Sequence, residues 1–534
     1  MYSIIIRNGT IYDGLGGLPQ KADIAIQDDK ITYIGKNSND PAHKMIDATG
    51  LVVAPGFIDI HSHTDFTVFA NPMADSKLLQ GVTTEVTGNC GIGLFPVNQS
   101  QKNDLEIFLK MHGVALPDTG ITWQTFNEYC QSLDQIELGI NLVPLVGHAN
   151  LRMAVMGADD RSPSKVELDE MKKLLFECLN QGAWGLSTGL VYPPSSFGKI
   201  GELIELAKVV AALDSLFTSH VRNESGGLLD AVDEVIRIGE ESGARVQVSH
   251  LKAIGKPNWG KGKIALDNIR VATRRGVNIG ADQYPYEASS TALTVLVPPW
   301  AHSGGVKALL ERLVNPELCE KLKQAIGEEV EVRGGPERVV ISSIVSDRNA
   351  LLSGKNIAEI SSMWQCKTED AIVRLLLEEK AAVSAVYFSM SPHDMEYILS
   401  NSAVAIGSDG MGMSTEKDFS KVVHPRSYGT FPRVLGKFVR EKQIVSLETA
   451  IYKMTQLPAT RLKLVDRGVI KVGAVADLTL FDPDIVNDVS DYTHSHKYPI
   501  GIKYVLVNGQ LAVEDSNLTG VAAGQVLRKN HIPV

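Results

Sequence analysis

Residues 215–250 read SLFTSHVRNESGGLLDAVDEVIRIGEESGARVQVSH, and this stretch predicts a strand, a helix and a second strand. The segments at residues 215–220 and 245–250 are short runs rich in apolar and β-branched residues. Between them, residues 228–239 repeat apolar side chains at the spacing of an amphipathic helix. A strand, a crossover helix and another strand favour a parallel sheet. Both predicted strands end in a histidine, His220 and His250.

The same alternation of strands and helices extends over residues 55–464, which we interpret as one unit. Eight candidate strands follow one another with helical segments between most of them. In order they are Phe57–His61, Thr83–Thr87, Asn141–Val146, Ala183–Ser187, Phe217–Val221, Val246–Leu251, Val277–Gln283 and Val404–Ser408. The pattern predicts an α/β protein with a TIM-like (β/α)₈ barrel, a fold whose chemistry lies at the carboxyl ends of its strands. The gap before the last strand predicts a helical insertion at about 287–403, between strands 7 and 8.

The two ends of the chain differ from this middle part. Residues 1–54 alternate apolar and polar residues around turn signals, and a similar pattern returns in residues 465–534. Each end also carries an Asn-Gly pair, at Asn8-Gly9 and Asn508-Gly509, which predicts a tight hairpin turn. We therefore expect the two ends to form one small β-domain, with the barrel inserted between them.

Composition limits the classes of protein. The formal net charge of −10 argues against a nucleic-acid partner, which would require a basic face. The sequence contains no apolar run of the ~18 residues that span a membrane, so we expect no membrane partner. Five cysteines without paired spacing favour the reducing cytoplasm. The oligomeric state is not predicted.

Metal-ligating residue types occur at the predicted strand ends. These residues are His61 and His63 after strand 1, Cys90 after strand 2, His220 after strand 5, His250 after strand 6 and Asp409 after strand 8. Imidazole, thiolate and carboxylate are the ligands that zinc prefers, so the pattern predicts a zinc site. Cys90 as a catalytic nucleophile paired with a histidine is the alternative. The convergence of several histidines on the thiol favours the metal ligand.

Several motifs resemble the N-acyl-D-amino-acid deacylases, or D-aminoacylases, of the amidohydrolase superfamily. The opening motif is PGFIDIHSHTD at 55–65 and the closing one is GAVADLTLFD at 473–482. Between them lie GNCG at 88–91, SHLK at 249–252, QYPY at 283–286, GSDG at 407–410 and HPRSYGTFPR at 424–433. The likeness covers essentially the whole chain, and the ordered combination of motifs with the cysteine is what makes it specific.

The resemblance implies a β-sandwich built from both termini and zinc-dependent hydrolysis of small N-acyl-D-amino acids. It assigns one tight zinc ion to Cys90, His220 and His250. A second, weaker site would use His61 and His63 and share Cys90 and Asp409. The substrate carboxylate would bind Lys252, Tyr284 and Arg426, with Tyr192 as a further candidate. Predicted strand 4 lacks the bridging lysine of many superfamily members.

The expected chemistry follows from these side chains. Zinc makes a water more acidic and polarises an amide carbonyl. Asp409 can take a proton from that water and return it to the leaving nitrogen. Two alternatives stay open: a cyclic-amide hydrolase such as a D-hydantoinase or dihydropyrimidinase, and a non-catalytic scaffold of the same fold.

Overall fold

A computed structural model describes residues 1–36, 40–415 and 423–529 of the chain. It confirms the predicted barrel, because the eight parallel strands occur in the predicted order. We number them barrel strands 1 to 8, and the third has two segments. Their bounds are Phe57–Asp59, Val82–Thr87, Asn141–Pro144 with Val146–Gly147, Gly185–Gly189, Leu216–His220, Arg245–Val248, Ile279–Gln283 and Val404–Ile406.

The barrel closes between strands 8 and 1. Each of strands 1 to 7 pairs in parallel with the next strand along the chain. The last seam lies just beyond the strand ends, where Ser62 and Gly410 form a parallel bridge. There the Asp409 amide donates to the His61 carbonyl at 2.7 Å, and the His63 amide donates to the Gly410 carbonyl at 2.8 Å. The seam therefore consists of the backbone around three of the predicted ligands.

Helices connect the strands and cover the barrel. Among the described residues the α-helices are Asp75–Leu78, Lys102–Met111, Phe126–Leu133, His148–Met156, Lys165–Asn180, Ile200–Ala212, Leu228–Ser242, Lys261–Arg274, Gly305–Val314, Pro316–Val332, Ile357–Trp364, Thr368–Glu378, Pro392–Ser400, Arg426–Arg433, Leu447–Met454 and Gln456–Leu462, and Val434–Glu441 is a π-helix. The 3₁₀ turns are Thr64–Phe66, Gln99–Gln101, Ser195–Phe197, Lys256–Asn258, Leu293–Leu296, Pro299–His302, Pro336–Arg338 and Asp347–Leu352. In the described parts of the chain, no helix is both long enough and apolar enough to cross a membrane.

The helix Leu228–Ser242 shows why the opening stretch folds as predicted. Its buried side chains include Val232, Val235 and Ile236, so its apolar stripe faces the barrel. The helix ends at Gly243, whose φ of 73° is the left-handed conformation that glycine adopts without strain. The chain can then turn directly into barrel strand 6.

Strands from both termini form one nine-stranded sheet, which confirms the predicted β-domain. The strands are Tyr2–Ile11, Gln20–Gln27, Lys30–Gly35, Ala42–Asp47, Val52–Pro55, Leu478–Phe481, Ile502–Val507, Gln510–Glu514 and Asn517–Leu518. Val52–Pro55 pairs with a strand from each end of the chain, and so joins the two halves. The sheet wraps around its own apolar core, and an antiparallel bridge between Lys30 and Val475 links its far parts.

One of the two predicted hairpins is wrong. Asn508 and Gly509 do connect two antiparallel strands, Ile502–Val507 and Gln510–Glu514. Asn8 and Gly9 instead lie inside the strand Tyr2–Ile11, where the register shifts between Ile6 and Gly9. Asn8 has a φ of 61°, so the left-handed residue forms a bulge rather than a turn.

The insertion between barrel strands 7 and 8 contains more than the predicted helices. It also holds a three-stranded antiparallel sheet of Ser289–Ala292, Val339–Ser343 and Ser384–Tyr387. Each strand is only four or five residues long, so an alternation of apolar and polar residues has little length in which to show. The helices of the insertion include the consecutive pair Gly305–Val314 and Pro316–Val332, which are separate because Asn315 caps a new helix that begins at Pro316.

A buried lysine connects the strands next to the barrel seam. The Lys77 ammonium lies 2.9 Å from Asp59 Oδ2, 2.6 Å from Glu85 Oε1 and 2.8 Å from Ser408 Oγ. All four side chains are fully buried. Asp59 also accepts from the Ser408 amide at 2.8 Å, so Lys77 neutralises the carboxylate that joins strand 1 to strand 8. Burial of these carboxylates is tolerable only with their cation.

We expect Lys77→Met to destabilise the barrel by about 3–5 kcal/mol, because it leaves buried carboxylates without a partner. Differential scanning calorimetry will measure this as a lower unfolding midpoint. Lys173→Met is the matched control, since the Lys173 side chain is 61% exposed. That control is expected to change stability by no more than about 0.5 kcal/mol. An unchanged unfolding midpoint in Lys77→Met would contradict the conclusion that Lys77 stabilises the barrel.

Candidate metal centre

The structure brings all six predicted metal-ligating residues to one end of the barrel. Each follows a barrel strand or ends one, as parallel strands require of side chains that meet at one edge. All six side chains are buried. They form two groups that could each hold a metal ion, and Cys90 belongs to both groups. The first group is Cys90, His220 and His250, and the second is His61, His63, Cys90 and Asp409.

The first group has the dimensions of a metal coordination shell. The Cys90 sulfur lies 3.6 Å from His220 Nδ1 and 3.4 Å from His250 Nε2. With Zn–S of about 2.3 Å and Zn–N of about 2.0–2.1 Å, tetrahedral ligands lie roughly 3.5 Å apart. The donor spacing and donor chemistry therefore fit a zinc ion.

The second group also includes the Cys90 sulfur. His61 Nε2 is 3.3 Å from Cys90 Sγ and 3.4 Å from Asp409 Oδ1. His63 Nε2 lies 3.1 Å from the same Asp409 oxygen. Two imidazoles, a thiolate and a carboxylate are all ligands that zinc accepts, so this group fits a second ion that shares Cys90 with the first.

Three of the ligand candidates have left-handed backbones. Their φ angles are 54° at Cys90, 34° at His250 and 53° at Asp409. Residues other than glycine rarely adopt this conformation, and it is concentrated at functional sites. The conformation turns the chain away from the barrel immediately after the strand and leaves the side chain aimed across the mouth.

Glycines make room for the Cys90 turn. A β-carbon at Gly189 would lie 1.9 Å from the Cys90 carbonyl oxygen, and one at Gly91 would lie 2.5 Å from the Gly189 amide nitrogen. Both contacts involve backbone atoms that cannot move aside. The glycines around the thiol are therefore required by its close packing against barrel strand 4.

The electrostatics of the cluster favour a thiolate among imidazoles. Burial alone would raise the pKa of the Cys90 thiol, but the charges of His61 and His250 hold it well below its usual value. Burial opposes protonation of His63, yet its bond to Asp409 raises its pKa to about 9. A buried thiolate is also the form in which cysteine binds a metal.

Two carboxylates that the sequence analysis missed orient the histidines. Asp282 Oδ1 lies 3.2 Å from His61 Nδ1 and accepts from the His250 amide at 2.8 Å. Glu224 Oε1 lies 3.5 Å from His220 Nε2 and 3.3 Å from His250 Nδ1. Such partners fix the ring orientation of metal-binding histidines. Their sequence signal was position, since Asp282 lies in barrel strand 7 and Glu224 follows His220 by four residues.

Three of the four substrate-binding candidates form one cluster around the Tyr284 ring. Lys252 and Arg426 both lie against the Tyr284 ring, with 5.6 Å and 5.1 Å to its centroid. Tyr192 lies beside a ligand candidate instead: its ring centroid is 5.0 Å from that of His220, and its hydroxyl is 2.9 Å from Thr291 Oγ1. The two cations have carboxylate partners: Lys252 Nζ is 2.5 Å from Glu224, and Arg426 Nη1 is 2.6 Å from Asp409 Oδ2. An incoming carboxylate must therefore compete with a carboxylate of the protein.

A closed parallel barrel with two buried ligand groups at its strand ends defines a metal-dependent hydrolase of the TIM-barrel class. The family profile agrees with this class: the chain belongs to the amidohydrolase family, whose profile matches residues 44–297 and 397–513. The motif resemblance found in the sequence is thereby confirmed.

The comparisons with individual proteins place the chain near the D-amino-acid deacylases. It is 35% identical to an N-acyl-D-glutamate deacylase of Alcaligenes xylosoxydans xylosoxydans, over 99% of this chain and 96% of that protein. It is 33% identical to a D-aminoacylase of the same organism, over 99% and 98% of the two chains. The crystal structure of an N-acyl-D-glutamate deacylase from Bordetella bronchiseptica, in complex with zinc and a phosphonate that mimics the tetrahedral intermediate, has a TM-score of 0.83 at 34% identity, and the match covers 99% of each chain.

Because Cys90 belongs to both groups, we expect Cys90→Ala to lower metal affinity at least tenfold. Loss of a residue that only orients a ligand already lowers affinity by about tenfold or more, and loss of the ligand itself should cost at least as much. Inductively coupled plasma mass spectrometry of gel-filtered protein will measure the metal content. His63→Ala changes the second group alone and should keep the ion at Cys90, His220 and His250. The control is Cys366→Ala, a half-buried thiol on the insertion. Wild-type metal content in Cys90→Ala would rule out the shared ligand.

Proposed function

We propose that this chain is a zinc-dependent hydrolase that cleaves the amide bond of N-acyl-D-amino acids and releases a D-amino acid and a carboxylate. The observation that carries the proposal is the buried Cys90 sulfur, with imidazole nitrogens of His61, His220 and His250 at 3.3–3.6 Å. This arrangement fits zinc and lies beside a carboxylate, Asp409, that can move a proton. The similarity to D-amino-acid deacylases along the whole chain supports the substrate class.

The proposed ligands of the tight zinc ion are Cys90, His220 and His250, and those of a second, weaker ion are His61, His63, Cys90 and Asp409. When zinc is bound, it supplies Lewis acidity, which polarises an amide carbonyl and makes a water more acidic. Asp282 and Glu224 hold the imidazole rings in the orientation that presents their donor nitrogens to the ion.

Asp409 is the proposed general base and acid. Burial raises the pKa of this carboxyl, but the charge of Arg426, with those of His250 and His61, holds it well below its usual value. The ionised carboxylate can accept a proton from the attacking water and then deliver it to the leaving nitrogen. Without this proton the amino-acid nitrogen would have to leave as a strongly basic nitrogen anion instead of as a neutral amine.

We propose that the substrate carboxylate binds at Arg426, Lys252 and Tyr284, with Tyr192 at the edge of the same mouth. A planar guanidinium and an ammonium that flank one phenol ring suit a carboxylate. If the substrate carboxylate takes Arg426 away from Asp409, the Asp409 carboxylate loses the cation that holds its pKa low. Substrate binding would then make Asp409 a stronger base at the moment when it must accept a proton.

The two alternatives have less support. A cyclic-amide hydrolase with a lysine bridge between two metals is disfavoured because strand Gly185–Gly189 contains no lysine. A non-catalytic scaffold would have no need of six converging ligand candidates together with Asp282 and Glu224. We further propose that the enzyme acts in the cytoplasm, since all five cysteines are free thiols.

We expect Asp409→Asn to lower kcat by about 100- to 10,000-fold, because the amide can neither accept nor return the proton. Hydrolysis of an N-acetyl-D-amino acid is the assay, and metal content is measured in the same sample to separate proton transfer from metal loss. Asp267→Asn changes an exposed carboxylate and is the control. Full activity of Asp409→Asn would contradict its proposed role.

The substrate class is tested by a panel of N-acetyl-D-amino acids, their L-enantiomers and hydantoins, assayed with zinc present. We expect hydrolysis of linear D-substrates, since a chiral centre held at its carboxylate presents only one enantiomer's amide to the metal centre. Preference for the L-enantiomers or for a ring would overturn the proposed substrate class.

A further inference from the structure

Two cavities open on the metal centre. The first, of about 300 Å³, is lined by Lys252 and is named here the Lys252 cavity. The second, of about 350 Å³, is lined by Arg426 and is named the Arg426 cavity. Both cavities reach Asp409 and Tyr192. An N-acyl amino acid has two arms on either side of its amide bond, so each cavity can accept one arm.

The amino-acid arm belongs in the Lys252 cavity on chemical grounds. The α-carbon of that arm carries both the carboxylate and the side chain, so the two groups must lie close together. If the carboxylate binds between Arg426 and Lys252 over the Tyr284 ring, the side chain next to it can enter the cavity that Lys252 lines, and the Val295 variants below test this placement. The acyl group then points to the Arg426 cavity.

The cations of the Lys252 cavity are already neutralised. Arg222 donates to both Glu234 oxygens at 2.9 and 3.0 Å, and to the Ser196 and Gly198 carbonyls at 2.7 Å each. Arg333 Nε donates to Glu329 at 2.9 Å, and its guanidinium stacks on the Tyr387 ring at 4.7 Å. Lys252 is held by Glu224 and by the His250 carbonyl. Each cationic side chain that lines this cavity in the described residues thus has a carboxylate partner.

The same cavity holds anionic and apolar groups that disfavour an acidic ligand. Glu224, Glu329 and Asp409 all line it. In the proposed binding mode the α-carboxylate takes Lys252, so a second carboxylate, on the substrate side chain, would be desolvated and repelled with no cation left to balance it. The cavity also has an apolar wall. Its residues are Val191, Ile254, Val295, Leu296, Val297 and Pro298.

We propose, on the basis of the function proposed above, that the preferred substrates carry an uncharged, apolar D-side chain rather than the side chain of D-glutamate or D-aspartate. The side chain packs on the wall that runs from Val295 to Pro298. This wall belongs to the insertion between barrel strands 7 and 8, so the insertion selects the side chain while the barrel supplies the ligands and Asp409.

The first test compares N-acetyl-D-leucine and N-acetyl-D-methionine with N-acetyl-D-glutamate and N-acetyl-D-aspartate on the zinc-loaded enzyme. We expect kcat/KM to favour the apolar pair by at least about 100-fold, because the α-carboxylate already takes Lys252, and Arg222 and Arg333 are held by Glu234 and Glu329. An equal or higher kcat/KM for the acidic pair overturns the inference alone. Failure to hydrolyse any N-acetyl-D-amino acid overturns the proposed function and the inference with it.

The second test places a cation on the apolar wall. Val295 is half-buried in the turn Leu293–Leu296, so its side chain can be extended without filling the core. We expect Val295→Arg to shift the kcat/KM ratio of the glutamate to the leucine substrate at least tenfold towards glutamate. Val295→Met adds length without charge and should keep the apolar preference. An unchanged ratio in Val295→Arg would overturn the placement of the side chain on this wall.

A binding measurement separates selection from catalysis. Isothermal titration calorimetry on wild-type enzyme stripped of metal by a chelator will compare N-acetyl-D-leucine with N-acetyl-D-glutamate. Tighter binding of the leucine derivative is expected, since the cavity exists without turnover. Tighter binding of the glutamate derivative would overturn the inference even if Val295→Arg does not fold.

Discussion

The centre of this molecule depends on one crowded contact, in which the Cys90 sulfur lies within 3.6 Å of nitrogens from three histidines. These histidines come from barrel strands 1, 5 and 6, so the contact exists only if the barrel is closed. It also requires a left-handed Cys90, with a φ of 54°, and a strand 4 that has no β-carbon at Gly189. Burial of the Cys90 thiolate costs free energy unless a cation balances its charge. A shared metal ion, as proposed above, would supply that cation.

Around this contact, side chains of opposite charge are paired. At the barrel mouth, Lys252 and Arg426 face the carboxylates Glu224 and Asp409. Behind the ligands, Asp282 holds His61 and the backbone of His250. Lys77 forms buried ion pairs with both Asp59 and Glu85. Asp59 also accepts from the His61 amide at 3.2 Å, so the lysine in the core fixes the backbone from which a ligand projects.

The sequence predicted the parts of the site that depend on strand order. Eight strands were recognisable from their apolar runs, and the carboxyl ends of parallel strands must meet, so His220 and Asp409 could be brought together without a structure. Glu224 and Lys77 could not be placed in this way, because a loop residue and a residue on a four-residue helix have no periodicity that fixes where their side chains point. The sheet of the insertion was missed for a related reason: its three strands are only four or five residues long and pair across long loops.

The division between barrel and insertion has a consequence for how specificity can change. The ligand candidates and Asp409 lie on strand ends, where their positions are fixed by the hydrogen-bonded seam and by buried charges. The Lys252 cavity receives its apolar wall from residues 295–298, which belong to the insertion and do not bear on the seam. Substitution of that wall therefore changes the surface that meets a side chain while leaving the ligand geometry intact. Arg426 connects the two parts, since it donates to Asp409 on one side and to the Ser290 carbonyl of the insertion at 3.0 Å on the other. The proposed base is therefore tied to the insertion through one guanidinium, so the position of the insertion strand Ser289–Ala292 bears directly on the ion pair that sets the charge state of Asp409.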